Sequence, residues 1–151
     1  MNRLLFIFFG CCFFCATSVS GQEDPSVNVI DDVQVDVKSA RTNAKGDTLH
    51  VDLFLISYKM NQREFKLNTY ATQVIDEDGT KYLFASIKMG RVLVQLADRQ
   101  NYLHYLLEEN TPVPLTINVA NWKGKKARML YLVYEDSAEE GKFITQEVQL
   151  N

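Results

Sequence analysis

Three carboxylates, a glycine and two aromatic residues sit together in VIDEDGTKYLF, Val74 to Phe84. Such a run could hold a calcium ion, or it could turn the chain between two strands. An EF-hand loop draws oxygen ligands from positions 1, 3, 5 and 12 around a glycine at position 6. With Gly79 at position 6, Asp76 and Asp78 fall at 3 and 5, but Val74 and Ala85 fall at 1 and 12 and offer no side-chain oxygen. A hairpin turn asks for less, because aspartate tolerates positive φ and glycine adopts it without steric cost. The turn is the preferred reading, and no metal or other cofactor is expected.

The second chemically suggestive stretch is NWKGKKAR, Asn121 to Arg128. Lys123, Lys125, Lys126 and Arg128 gather beside Trp122, the only tryptophan. Four cations could attract an anionic surface, and an indole face could take a sugar or another planar group. The plainer alternative is a solvated loop whose lysines discourage edge-to-edge pairing of strands. These five residues form the candidate ligand-binding site.

Catalytic chemistry has little to build on. His50 and Asp52 are two residues apart, so a strand would put them on one outward face as a hydrogen-bonded pair at best. His104 is the only other histidine, and the chain contains no G-x-S-x-G, H-E-x-x-H or phosphate-cradling glycine loop. No catalytic residue is assigned. The tyrosines at 58, 70, 82, 102, 105, 131 and 134 have the spacing of rim and core residues of strands.

These residues are carried by a chain with the marks of an exported protein. A basic start with Arg3, an apolar run from Leu4 to Phe14 and small residues before a polar stretch describe a cleavable signal over residues 1–21. Cleavage after Gly21 or after Ser20 satisfies the small-residue rule, and the apolar run falls short of the roughly 20 residues a spanning helix needs. Gly10-Cys11 admits lipidation at Cys11, the only route to a membrane. The apolar residues that follow Cys11 argue against it. Cys11, Cys12 and Cys15 all lie within the signal, so the processed chain is expected to fold without disulfides. Loss of Arg3 moves the net charge from −3 to −4, a mildly acidic balance that suggests no nucleic-acid partner. The expected location is periplasmic or extracellular.

Residues 22–32 read as a polar leader, and residues 33–151 as one domain. Period-two alternation dominates that domain. Val33, Val35 and Val37 share one face of VQVDVKS, and Leu49, Val51, Leu53 and Leu55 share one face of TLHVDLFLIS, with AKGD turning between them. YATQVID, KYLFASI, RVLVQLA, VPLTINV, RMLYLVYE and FITQEVQL continue the strand pattern. In DRQNYLHYLLEEN, Leu103, Leu106 and Leu107 fit a short helix near residues 98–109 and fit a strand nearly as well.

The strand and turn patterns in VKSARTNAKGDTLHVDLFLIS, TQVIDEDGTKY, NTPVPLTINV and MLYLVYE resemble a family of small exported bacterial domains of unknown function. That family has an immunoglobulin-like fold, and some relatives are described as immunoprotective extracellular proteins. The resemblance spans about Asp31 to Glu135 and rests on turn and strand patterns. The chain departs from it in FLISYKMNQRE, which lacks an asparagine that many members carry, and in the longer, more aromatic RQNYLHYLLEE. It implies an all-β, immunoglobulin-like antiparallel sandwich of about 7–9 strands and lends no active site. The favoured function is a non-catalytic envelope or secreted module that binds a protein or glycan. The alternative is a small hydrolase or ligand carrier with its site in a cavity between the sheets.

Overall fold

The computed structural model describes residues 28–150. The expected signal, with Cys11, Cys12 and Cys15, and the first part of the expected leader lie outside the described residues.

The alternating runs form twelve strands and no α-helix among the described residues. They are β1 (Val29–Ile30), β2 (Val33–Thr42), β3 (Thr48–Ser57), β4 (Arg63–Asn68), β5 (Gln73–Asp76), β6 (Lys81–Tyr82), β7 (Ser86–Met89), β8 (Val92–Gln95), β9 (Tyr102–Leu107), β10 (Val113–Ala120), β11 (Ala127–Glu135) and β12 (Phe143–Gln149). Two antiparallel sheets pack face to face. The first has the order β1-β2-β3-β10-β7-β8. In the second, β12 lies on one side of β11. On the other side β4 and β5 follow one another along β11, with β9 beside β4 and β6 beside β5. The order β2-β3-β10-β7 against β4/β5-β11-β12 matches the ABED and CFG sheets of an immunoglobulin-type sandwich.

The core follows from the pleat. Val33, Val35, Leu49, Val51, Leu53 and Leu55 point from the first sheet toward Phe65, Leu67, Leu103, Leu130, Leu132 and Tyr134 of the second. Each such side chain contributes about 1.5–3 kcal/mol when fully buried. A bulge between Val37 and Ser39 shifts the register of β2, so Ala40 replaces an expected alternate position at the edge of the core.

Four sequence expectations change. The strand count is twelve rather than seven to nine, partly because the strand opposite β11 breaks at Thr69–Thr72. There Asn68 Oδ1 accepts the Ala71 N–H at 3.0 Å and Thr72 Oγ1 accepts the Val133 N–H at 3.1 Å, so side chains replace ladder bonds. KYLFASI is not one strand: β6 and β7 lie in different sheets, and Phe84 crosses between them into the core. Residues 98–109 form no α-helix. A 3-10 turn at Leu96–Asp98 leads into β9, where Leu103 and Leu107 face inward while Leu106 faces out.

The leader is the fourth. Its last residues, Asn28–Asp32, belong to the sandwich. Ile30 pairs with Val33 across Asp31 and Asp32, both at positive φ, the geometry of a two-residue type I′ hairpin. The turn is then locked to the second sheet. Arg63, its side chain only 3% exposed, donates to the Asp31 carbonyl at 2.6 Å and to Asp31 Oδ2 at 2.8 Å. Ser137 donates its hydroxyl and its N–H to the same carboxylate. Gln146 donates to the Asn28 carbonyl at 2.6 Å, and the Tyr134 hydroxyl lies 2.9 Å from the Ile30 carbonyl. We call this end of the sandwich the base.

Candidate functional site

At the end opposite the base, three connections meet: the β2–β3 turn (Asn43–Asp47), the β5–β6 turn (Glu77–Thr80) and the β10–β11 loop (Asn121–Lys126). The two stretches that the sequence marks separately, DEDG and NWKGKKAR, become one structure here. Asp76 organises it. Its Oδ1 accepts the N–H groups of Asp78 at 3.0 Å and Thr80 at 2.8 Å, and its Oδ2 accepts the Tyr82 hydroxyl at 3.0 Å. Gly79 supplies the positive φ of the turn. Burial opposes ionisation of Asp76. The Thr80 N–H, the Tyr82 hydroxyl, the Asp78 N–H and the Lys125 charge outweigh it and hold the carboxyl below its usual range. The acidic stretch is a turn held by its own buried aspartate. Among the described residues, no group of three or more His, Cys, Asp or Glu side chains could hold a metal ion.

Trp122 does not present a binding face. It is 2% exposed, packs on Tyr82 with ring centroids 4.6 Å apart, and donates its indole N–H to the Lys125 carbonyl at 2.8 Å. Its own N–H reaches the Asp47 carbonyl at 2.8 Å, tying the loop to the β2–β3 turn. An indole has one N–H and a large apolar body, and the loop buries both. Lys125 is also partly spent. It pairs with Asp78 and lies 3.9 Å from Asp76, and the Asp78 contact raises its pKa. Glu77 and Lys126 bond through their backbones, the Glu77 N–H to the Lys126 carbonyl at 3.0 Å.

The remaining cations divide between two sides of this end. Lys126 lines a notch of about 330 Å³ with Arg41 and Lys125, over a floor of Ala40, Leu49, Ala127 and Leu150. Arg128 lines an adjoining cleft with Lys126, Glu77 and Gln149. Lys123 faces elsewhere, into a groove with Lys81. Of the five residues marked in the sequence, the structure brings Lys125, Lys126 and Arg128 to these two adjoining clefts, buries Trp122 and puts Lys123 elsewhere. The sequence reading misses Arg41, which reaches the notch from β2 and makes one 3.4 Å contact with Asp52 from a largely exposed position. Alternation past AKGD, which aligns the end of β2 with the end of the sandwich, was the available signal.

The histidines do not assemble a catalytic group. His50 bonds through Nδ1 to Asn118 Oδ1 at 2.6 Å, and Asp52 accepts instead from Ser39 and Thr116, each at 3.0 Å. His104 pairs with Glu64 at 2.8 Å on the outer face of the other sheet. The space between the sheets is filled by aliphatic and aromatic side chains, and the clefts described above open at the surface. No protein-family model matches this chain, and no curated protein sequence matches it.

Proposed function

We propose that this protein is an exported, non-catalytic binding module of the cell envelope or its surroundings that engages an anionic protein or glycan through the loop end. One observation carries the reading. Arg41 from β2 and Lys126 from the β10–β11 loop line one notch over an apolar floor, and Arg128, two residues after Lys126, lines the cleft that adjoins it, while Asp76 and Asp78 are engaged in the β5–β6 turn and with Lys125. A cationic rim over a shallow apolar floor suits an anionic polymer or an acidic protein surface, and long-range attraction accelerates such encounters. The basic start and apolar run of residues 1–14 support export.

The test uses residues 22–151 on a column bearing a sulfated or carboxylated polysaccharide, eluted with salt. The unaltered protein is expected to be retained, and the triple variant R41E/K126E/R128E to elute near the void at low salt. Retention that the triple variant leaves unchanged would overturn the reading.

A further inference from the structure

Two exposed apolar spots of opposite charge lie along one margin of the second sheet. The first is the groove of about 490 Å³ that receives Lys123. Leu83 and Leu96, 41% and 36% exposed, line it together with Phe84, Ala85 and Ala120. Lys81 and Lys123 are its only charged residues, and no carboxylate lines it. Lys123 has no ion pair among the described residues, and Lys81 rests over the Tyr131 ring at 5.4 Å. The β6 strand beside the groove pairs with β5 alone.

The second spot is a knob on β9. Leu106 is 53% exposed and sits directly across from Glu64 in the β4–β9 register, with Glu108 two residues further on. Glu64 is mostly exposed, with His104 Nδ1 at 2.8 Å from its carboxylate, and Gln62 donates to Glu108 at 3.3 Å, steadying it beside the leucine. β9 pairs with β4 alone. Because β5 continues β4 along β11, β6 and β9 occupy the same margin, the groove toward the loop end and the knob toward the base.

We propose that this margin is a self-complementary interface at which two copies of the chain pair. The Leu106 knob of each copy seats between Leu83 and Leu96 of the other, and Glu64 and Glu108 meet Lys81 and Lys123. A two-fold axis requires that a patch which receives also delivers, and one margin carrying both halves satisfies that condition. A second copy accounts for both spots at once. A bilayer would be opposed by the carboxylates around Leu106, and a small apolar ligand in the groove would leave Leu106 in water. The interface does not involve Arg41, Lys126 or Arg128, so it stands apart from the anion-binding reading.

Sedimentation velocity and light scattering on residues 22–151 test the proposal. A concentration-dependent dimer is expected. It should weaken as salt rises from about 0.01 M to about 0.15 M, over which the Debye length shortens from roughly 30 Å to roughly 8 Å. K81E/K123E alone and E64K/E108K alone should each weaken the dimer by about tenfold or more. An equimolar mixture should recover a heterodimer, because both contacts become attractive again. Circular dichroism checks that each variant is folded. If one is not, Leu106→Asp, placed at an exposed position, replaces it and should also give monomer. A wild-type monomer at the highest soluble concentration would overturn the proposal. So would a dimer indifferent to every variant, or a mixture of folded monomeric variants that fails to pair.

Discussion

The two ends of the sandwich handle charge in opposite ways. At the base, the buried Arg63 is paired with a mostly covered Asp31, and the surrounding polar groups are partnered within the fold, apart from the buried Arg63 Nε. At the loop end the carboxylates are tied into a turn, and Arg41, Lys126 and Arg128 are left facing water. A buried pair fixes geometry, because removing one partner strands the other in a poor solvent. Exposed cations add little to stability and stay available to a partner. The base therefore closes the fold, and the loop end offers a surface.

The comparison is sharpest where large losses are expected. Trp122→Ala should cost about 3–5 kcal/mol in urea unfolding, since it empties the space against Tyr82 and frees the loop. A loss of less than about 1 kcal/mol would mean the indole is a surface residue after all. Arg63→Met should cost about 3 kcal/mol by removing the only cation beside Asp31 among the described residues and leaving the Ser137 hydrogen bonds alone to hold the carboxylate. Adding Asp31→Asn should recover part of that loss, because asparagine tolerates the positive φ of the turn. If the double variant is no more stable than Arg63→Met, the pair is not the source of the effect.

Acid offers a gentler probe of both ends. Burial would raise the Asp31 pKa, but the Ser137 hydroxyl and N–H and the Arg63 contact outweigh it, and the folded value lies below the usual one. The Asp76 value is lowered in the same way. A carboxyl with a depressed folded pKa adds stability that is complete above its unfolded pKa of about 3.9 and disappears as pH falls through the folded value. Urea midpoints should therefore drop as pH falls below about 4 and through the lowered folded values. Asp31→Asn and Asp76→Asn should each flatten that acid limb. An unchanged slope in either variant would remove that carboxylate from the account.

Much of the fold can be read from alternation, because β3 and β10 bury every second residue without interruption. What hides is local. In β9 the outward Leu106 happens to stand three residues after Leu103, which imitates a helical stripe. The polar composition of Asn28–Asp32 suggests a leader, although Asp31-Asp32 between Ile30 and Val33 is a legible hairpin turn. The site is half legible. Charge density marks Lys125, Lys126 and Arg128, but nothing local says that Trp122 turns inward or that Arg41 arrives from a strand some eighty residues earlier.

The smallest effect on stability coincides with the largest on function. Lys126→Glu should change unfolding free energy by less than about 0.5 kcal/mol. Yet titration of a sulfated oligosaccharide into R41E/K126E/R128E, followed by calorimetry beside the unaltered protein, tests the division between the two ends most directly. The account predicts saturable, salt-sensitive binding to the unaltered chain and none to an equally stable triple variant. Equal binding by both would contradict it.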